Sequence, residues 1–329
     1  MHTLLIATAF ASSTCPQWSS PASSGTLDPA LVELSGLSGS RQDDTILWAH
    51  NDAGNQAIVY AISTAGQLIK AVSVADATNE DWEDISGGPC PDSDCPCLYI
   101  GDIGDNDASR LGGVIYRLPE PDLMLDDPQP AATALPFQYP DGPRDAEALV
   151  VHPQTGAVYI ITKDDPAHIY QLPTDATPAQ INTVTFVQEL DVSALTNAAI
   201  TAADFSPSGG RLVLRTDDEI ILLGDEQSTQ PSEVFNSDVQ QLLPTPDANQ
   251  AESIAFDLTG AHLYTASEGV AVDFWQISCA EDSAEPATLQ APCPDGAGGC
   301  GGKRAVLLLP LFVLGGMRRR AGAHRYIVD

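Results

Sequence analysis

Short apolar segments recur along the chain with the same order of apolar and polar positions. In each repeat, a short apolar run leads into a turn rich in Gly, Pro, Ser or Asp. A second run of β-branched and aromatic residues follows and ends in acidic or polar residues. Runs of this kind are typical of β-strands, and the turn residues are typical of tight connections between them. The repeats span residues 36–52, 83–105, 147–165, 202–218 and 252–269.

The spacing within the repeats agrees best between the third and the fifth. Glu147 precedes Tyr159 by the same number of residues as Glu252 precedes Tyr264. The repeat period is about 50 residues, which is in the range of β-propeller blades, and the body of the chain shows no long helical periodicity. The sequence therefore predicts an all-β fold, a β-propeller of four-stranded blades over residues 28–280.

The number of blades follows from the strands that come after each repeat. A third strand follows every repeat and a fourth follows the first four, whereas the fifth repeat lacks a fourth strand. Residues 31–34 are predicted to supply it and to close the ring. This predicts five blades, or six if a degenerate blade lies between 119 and 145. Packing small sheets around an axis buries faces that a single sheet would leave exposed.

The charge of the chain is strongly unbalanced. Its 329 residues include 14 Lys and Arg against 45 Asp and Glu, a formal net charge of −31. Such a surface repels phosphate backbones, so nucleic acid is not an expected partner, and it favours a soluble monomer. Cations are its natural partners. Hydrophobic residues make up 43% of the chain, which indicates a packed core rather than a disordered acidic chain.

Acidic residues recur where the first strand of a repeat begins and where the second strand ends. Equivalent positions on different blades converge on one end of a propeller axis, and converging carboxylates repel one another unless protons or a cation compensate. Their oxygen atoms suit Ca²⁺, which takes six to eight such ligands. Turn formation is the alternative role for Asp and Asn here. The predicted calcium ligands are Asp52, Glu83, Asp84, Asp102, Glu147, Asp204 and Glu252.

One histidine is a candidate for catalysis. His50 lies beside Asn51 at the end of a predicted strand, where it could be a metal ligand or a general base; a packed or hydrogen-bonded histidine is the alternative. Trp48 and Trp82 could line a pocket at the same end or belong to the core. The chain has no G-x-S-x-G elbow, H-E-x-x-H motif, P-loop or dinucleotide-binding glycine motif. The residues therefore leave open whether the protein is an enzyme.

The seven cysteines are compatible with disulfides in an oxidising compartment. None belongs to a paired C-x-x-C pattern of the kind that binds zinc. Cys90, Cys95 and Cys97 share a Pro- and Asp-rich loop in which a disulfide is predicted. Cys279 and Cys293 could form a second disulfide at the end of the domain. The connectivity is left open by the sequence.

Both ends of the chain carry features of an exported protein. Residues 1–11 contain a short apolar run and a small-x-small sequence, which predict a signal peptide. A Gly- and Cys-rich linker at 281–302 is followed at 303–320 by an apolar run and an Arg cluster. The run is shorter than the ~20 residues of a full span, but the Arg cluster fits the cytoplasmic side of an anchor. The predicted location is the cell envelope or surface, with release as the alternative.

Several motifs resemble those of known propeller proteins. SGL…WAHND, DWEDI, YIGDIGDN, DAEAL and ESIAF together resemble a family of bacterial secreted propellers of mostly unassigned function, and more loosely the phytase-like and SdiA-regulated propellers. The resemblance covers 31–277 and implies a propeller with calcium on its acidic face, but no particular reaction. The order of Cys-Gly motif, apolar run and Arg cluster resembles the C-terminal sorting tails of myxobacteria. That resemblance implies processing and anchoring at Cys300.

These features predict a calcium-binding propeller, tethered at the cell surface, that binds an unidentified small-molecule or protein ligand. The membrane is expected to be contacted through the C-terminal tail only. One alternative is a metal-dependent ester or lactone hydrolase on the same face, with carboxylates holding the metal and His50 as the base. Another is a structural envelope protein without a pocket. A hydrolase needs an open metal position in a concave site, whereas a structural protein would have its acids splayed into water.

Overall fold

The computed structural model of the chain describes residues 15, 17–196, 198–238, 240–247, 250–279 and 289–291. The predicted signal peptide at 1–11, the predicted anchor at 303–320, Cys293 and Cys300 lie outside these residues, as does most of the predicted linker at 281–302. In the part of the chain that is described, no helix has the length and apolar character needed to cross a membrane.

The described strands form five antiparallel four-stranded sheets, which are blades 1 to 5 of a β-propeller. From the axis outward, blade 1 contains β2 (Leu34–Gly39), β3 (Ile46–Asn51), β4 (Ile58–Ser63) and β5 (Leu68–Ser73). Blade 2 contains β6 (Trp82–Pro89), β7 (Pro96–Asp102), β8 (Val114–Pro119) and β9 (Thr133–Gln138). Blade 3 contains β10 (Ala146–Val151), β11 (Val158–Thr162), β12 (Ala167–Gln171) and β14 (Thr185–Leu190). Blade 4 contains β15 (Ile200–Phe205), β16 (Arg211–Thr216), β17 (Ile220–Gly224) and β18 (Gln240–Leu243). Blade 5 contains β19 (Ala255–Phe256), β20 (His262–Thr265), β21 (Asp273–Ser278) and β1 (Ala22–Thr26).

Two short elements lie outside this four-stranded pattern. β13 (Asn182–Thr183) pairs in parallel with β9, and α1 (Pro231–Phe235) lies between β17 and β18. The stretch between 119 and 145 contains β9, the outer strand of blade 2, and not a further blade. The predicted all-β propeller with five blades is therefore confirmed, and the six-blade alternative is wrong.

The ring is closed by the N-terminal strand. β1 pairs antiparallel with β21, so that Thr26 lies opposite Asp273. The fifth repeat does lack a fourth strand of its own, but the prediction that residues 31–34 supply it is wrong. Leu34 begins β2, and Leu31 is buried in the apolar cluster between blades 5 and 1. The apolar character of this segment serves that cluster, whereas the outermost strand is mostly polar.

Apolar clusters between neighbouring blades form the core. The cluster between blades 1 and 2 contains Trp48 and Trp82, which have no exposed surface, and Tyr116 packs beside them. Complete burial of one large apolar side chain contributes about 1.5–3 kcal/mol. Both tryptophans therefore belong to the core rather than to the wall of a pocket. The other four blade interfaces contain similar clusters.

All five inner strands run in the same direction along the axis. We call the end where they begin the upper end and the end where they finish the lower end. An inner strand has no neighbouring strand on its axial side, so its inward N–H groups need other acceptors. Asp84 of blade 2 accepts hydrogen bonds from the N–H of Leu149 in blade 3 at 3.0 Å and of Ala203 in blade 4 at 3.4 Å. Asp204 of blade 4 accepts one from Phe256 of blade 5 at 2.9 Å.

Two serine hydroxyls act in the same way. The Ser38 hydroxyl accepts a hydrogen bond from the N–H of Gly87 at 2.9 Å, and the Ser86 hydroxyl accepts one from the N–H of Val151 at 3.0 Å. Each of these bonds joins the inner strands of adjacent blades. The unpaired edges along the axis thus couple the blades to one another, in addition to the apolar clusters farther out.

One disulfide closes a hairpin. Cys90 and Cys97, with Cα atoms 5.1 Å apart, are joined across the connection between β6 and β7. This is the loop in which a disulfide was predicted. The third cysteine of the loop, Cys95, is a half-buried free thiol.

A second disulfide joins the two ends of the described ring. Cys279, which follows β21 at the lower end, is bonded to Cys15, and the two Cα atoms are 5.7 Å apart. The predicted pairing of Cys279 with Cys293 is therefore wrong. The sequence alone gave no preference for Cys15, because 264 residues separate it from its partner.

The Cys15–Cys279 disulfide is expected to stabilise the fold more than the Cys90–Cys97 disulfide does. The sequence separations are 264 and 7 residues, and a disulfide restricts the unfolded chain more when it closes a longer loop. Cys15→Ser/Cys279→Ser should lower the free energy of unfolding by about 2–4 kcal/mol in urea titrations. Cys90→Ser/Cys97→Ser is the control. An equal or larger loss in the control would contradict this prediction.

Asp84 is expected to be among the most sensitive positions in the channel. Asp84→Ala leaves the N–H groups of Leu149 and Ala203 without their acceptor, and each unsatisfied buried donor costs about 1–3 kcal/mol. We expect a loss of about 2–4 kcal/mol in the free energy of unfolding. Asp84→Asn keeps one acceptor oxygen and should fall between this variant and wild type. The exposed Asp126→Ala is the control, and a loss no larger than that of this control would refute the role of Asp84.

Candidate metal centre

A β-bulge near the start of each of the first four inner strands changes the direction of one side chain. The register shifts between Leu34 and Leu37 in β2, at Glu83 in β6, at Glu147 in β10 and at Thr201 in β15. A bulge leaves the extra residue out of the ladder and re-aims its side chain. In blades 2 and 3 this places a glutamate at the upper end of the axis.

The fifth blade contributes a glutamate at the matching position. Ala255 of β19 pairs with Tyr264, as Val150 of β10 pairs with Tyr159. Counting back from these pairs places Glu252 at the position of the glutamate in blade 3. The spacing that matched the third and fifth repeats in the sequence is thereby confirmed by strand register.

Three carboxylates meet at the upper end. Oxygen atoms of Asp52, Asp81 and Glu83 all lie within 4.8 Å of one another. Asp52 follows β3, Asp81 directly precedes β6, and Glu83 is the bulged residue of β6. Gly104 faces them, and a Cβ atom at this position would overlap the carboxylates of Glu83 and Asp81. The absence of a side chain at Gly104 therefore gives these groups their space.

A side-chain amide holds the two contributing blades together at this point. Asn79 donates a hydrogen bond to the backbone carbonyl of Asp52 at 2.8 Å, and its own side-chain oxygen accepts one from the N–H of Trp82 at 3.2 Å. The end of β3 in blade 1 is thus tied to the start of β6 in blade 2. This contact fixes the position of Asp52 next to the acids of blade 2.

The electrostatic surroundings of the cluster are unfavourable for ionised carboxylates. Glu83 is only 4% exposed, and no hydrogen bond reaches its carboxylate from any described residue. Burial, followed by the charges of Glu147 and Asp52, raises the pKa of Glu83 far above its usual range. Burial also raises the pKa of Asp81 to about 6 and raises the pKa values of Asp52 and Glu252. Without a compensating charge, Glu83 would hold a proton at neutral pH.

Basic side chains neutralise other acids near the upper end. The ammonium group of Lys163 forms an ion pair with Glu147. Arg110 forms one with Asp102 at 2.7 Å, and the other Asp102 oxygen accepts a hydrogen bond from the N–H of Glu80 at 3.1 Å. Both carboxylate oxygens of Asp102 therefore have partners, and Asp102 is not part of the group formed by Asp52, Asp81 and Glu83.

The predicted ligand set therefore divides into three parts. Asp52, Glu83, Glu147 and Glu252 share the upper end. Asp84 and Asp204 lie deeper in the channel, where they accept backbone hydrogen bonds, and Asp102 pairs with Arg110. The expectation that Asp204 occupies the same layer as the glutamates is wrong, because Asp204 lies opposite Val213, several residues farther along its strand.

His50 is a packed residue in this structure. Its side chain has no exposed surface and its ring lies edge-on to Trp82, with centroids 5.5 Å apart. A Cβ atom at Gly36 would overlap its Nε2 atom, so the ring fills the space beside that glycine. Burial lowers the pKa of His50 to about 4. A substrate at the upper end could not reach this ring without a rearrangement of the core.

The lower end of the channel contains a small cavity. A cavity of about 30 Å³ is bordered by Ser38, Arg41, Asp204 and Phe256. This volume suits about one water molecule. The backbone carbonyl of Arg41 also accepts a hydrogen bond from the N–H of Gln290 at 2.9 Å. The lower end therefore offers little room for a ligand.

Sequence reasoning missed two residues of the site. Asp81 belongs to the DWED motif, whose acids open the second repeat, but it was not included among the predicted ligands. Lys163 follows β11 in the third repeat and was not assigned to the site. Alignment of the repeats by strand register places Asp81 and Lys163 at the upper end. The sequence alone does not determine that register.

The chain matches no known protein-family model, and no curated protein is similar to it in sequence. Its function is therefore argued from the geometry of the site.

The free energy of unfolding is expected to fall between pH 5 and pH 8, in part because of Asp204. Burial raises the pKa of Asp204 from 3.8 to about 7. The folded state then binds a proton that the unfolded state releases, so this contribution is present below about pH 4 and is lost as the pH rises through about 7. Asp204→Asn should reduce the fall by about 2 kcal/mol in urea titrations with a chelator present. Asp126→Asn is the control, and an unchanged pH dependence in Asp204→Asn would contradict this assignment.

Proposed function

We propose that the upper end of the channel binds Ca²⁺, and that the propeller is a calcium-dependent binding module for a small-molecule or protein ligand. The observation that carries this proposal is the meeting of the Asp52, Asp81 and Glu83 carboxylates within 4.8 Å of one another. Among the described residues, no cationic side chain forms an ion pair with any of the three. A bound cation would offset the repulsion among these three carboxylates and the cost of burying Glu83.

The chemistry of the group favours a hard cation. All three members offer carboxylate oxygens and none offers sulfur or imidazole nitrogen, which distinguishes the group from typical zinc and copper sites. Ca²⁺ accepts six to eight oxygen ligands in irregular geometry, whereas Mg²⁺ demands a near-ideal octahedron. Three carboxylates from two blades do not impose a regular octahedron, and they fit the less demanding ion.

The exposure of the three carboxylates supports a binding role. Glu83 is buried, whereas Asp52 and Asp81 are half-buried, so a cation held between them would face the protein on one side and solvent on the other. Oxygen atoms of a ligand could replace water on the open side. A purely structural role would predict acids splayed outward, and these acids converge instead.

The hydrolase alternative has less support. It relied on His50 as the general base, and this side chain has no exposed surface. The three carboxylates could hold a metal, but the group they form in the described residues contains no histidine that could take the role assigned to His50. The binding module therefore needs fewer additional assumptions.

The location of the protein remains part of the proposal. Two disulfides support an exported protein, since disulfides persist mainly in oxidising compartments. Attachment through 303–320 and Cys300 stays a prediction from the sequence.

Calcium is expected to stabilise the purified full-length chain. After treatment with a chelator, added Ca²⁺ at about 100 times its Kd should raise the free energy of unfolding by about 2.7 kcal/mol and the Tm by several degrees. Glu83→Gln should abolish the shift, because it removes the buried charge of the cluster. The measurements are thermal unfolding and isothermal titration calorimetry with CaCl₂.

Glu189→Gln is the matched control, since Glu189 lies on the exposed outer strand of blade 3 and the substitution changes the net charge equally. It should respond to Ca²⁺ as wild type does. If wild type shows neither binding heat nor a shift in Tm with Ca²⁺ or Mg²⁺, the proposal is wrong. It is also wrong if Glu83→Gln binds as wild type does.

A further inference from the structure

One basic residue occupies a position that an acid occupies in another blade. The N–H of Lys163 donates to the carbonyl of Asp145 at 2.9 Å, and the N–H of Asp52 donates to the carbonyl of Glu33 at 2.8 Å. In blades 3 and 1, these bonds extend the pairing of the inner strand with the second strand by one residue at the upper end. Lys163 therefore stands in blade 3 where blade 1 has a member of the carboxylate group.

The ammonium group of Lys163 is directed into the acidic end. It forms an ion pair with Glu147, whose side chain is 6% exposed. Glu147, Asp145 and Glu83 are the carboxylates whose charges act on it most strongly. Lys163 thus neutralises the blade 3 side of the upper end, while the group of blades 1 and 2 keeps its negative charge.

The other basic residues near the upper end have different partners. Arg110 is bound to Asp102 at 2.7 Å, and Arg144 is bound to Asp164 at 3.0 Å. Of the described basic residues, Lys163 is the one that forms an ion pair with one of the convergent glutamates. Its charge is therefore the one best placed to act on a cation at the neighbouring carboxylates.

We propose that Lys163 is a tethered counter-charge that holds Glu147 away from the metal and sets the affinity of the site for Ca²⁺. This inference rests on the proposed function. The ammonium group repels a cation bound by Asp52, Asp81 and Glu83, and it keeps the carboxylate of Glu147 engaged. The site would consequently bind Ca²⁺ more weakly than its number of acids implies, so that the ion could be gained and lost as its concentration changes. Lys163 is in this sense a positioning residue.

The test compares Ca²⁺ binding by full-length variants in isothermal titration calorimetry. Lys163→Met should lower the Kd for Ca²⁺ at least tenfold, which corresponds to about 1.4 kcal/mol. Lys163→Arg retains the charge and should stay within about threefold of wild type. Lys163→Met/Glu147→Gln removes both members of the ion pair and should also return to within about threefold of wild type.

Lys70→Met is the matched control for net charge. Lys70 lies on an outer strand of blade 1 and donates to the backbone carbonyl of Leu123 at 3.2 Å, away from the carboxylate group. Its substitution should leave the Kd unchanged. A Kd for Lys163→Met equal to that of wild type or of Lys70→Met would overturn the inference, and so would a Lys163→Arg variant as tight as Lys163→Met.

Thermal unfolding without metal provides a second readout. Lys163→Met should lower the Tm in chelator, because Glu147 loses its cationic partner, and Ca²⁺ should restore it. Binding by wild type with no effect of Lys163→Met would defeat this inference and leave the proposed function standing. Absence of binding in wild type and in Lys163→Met would defeat both.

Discussion

The inner edge of each blade must satisfy its backbone hydrogen bonds without a neighbouring strand, and the fold depends on how this is done. The axis is so narrow that Asp84 alone reaches the N–H groups of two other blades. Ser38, Ser86 and Asp204 satisfy further edges in the same way. The polar bonds lie along the axis and the apolar clusters lie between the blades farther out. Neighbouring blades are consequently held together by apolar clusters and, at several of the interfaces, by polar bonds along the axis, and a blade on its own would satisfy neither.

The acids of the inner strands meet two environments that lie close together. Deep in the channel, Asp84 and Asp204 accept hydrogen bonds from backbone N–H groups, which offset part of the rise in pKa that burial causes. At the upper end, the bulge removes Glu83 from the strand pairing and turns its side chain toward other acids. No hydrogen bond from a described residue offsets the burial of its carboxylate. The difference between a structural and a candidate ligand-binding carboxylate is therefore a matter of one residue along the strand. Asp84 directly follows Glu83, yet the carboxylate of Asp84 accepts hydrogen bonds from backbone N–H groups, whereas the carboxylate of Glu83 lies among other acids.

Much of the fold could be predicted from the sequence, because each repeat contains its own alternation of apolar residues and turns. The closing strand β1 could not, since it is held by backbone hydrogen bonds at the outer edge and its polar side chains carry no periodic signal. The acidic end was also predictable from the recurring positions of Glu83, Glu147 and Glu252. Which acids share that end was not predictable, because the bulge turns Glu83 toward the upper end and leaves Asp84 in the channel, while Asp204 lies beyond the bulge of its own strand at Thr201.

The disulfide at the lower end makes the two ends of the ring neighbours. Cys15 and Cys279 have Cα atoms 5.7 Å apart, and both lie on the side opposite the three convergent carboxylates. A short linker could therefore join them, and the chain could instead be opened in another surface loop, as circular permutation requires. A different blade would then be completed by the two ends of the chain. Which blade combines the two ends of the chain is therefore set by the order of the blades in the sequence. The packing around the axis does not require it to be blade 5.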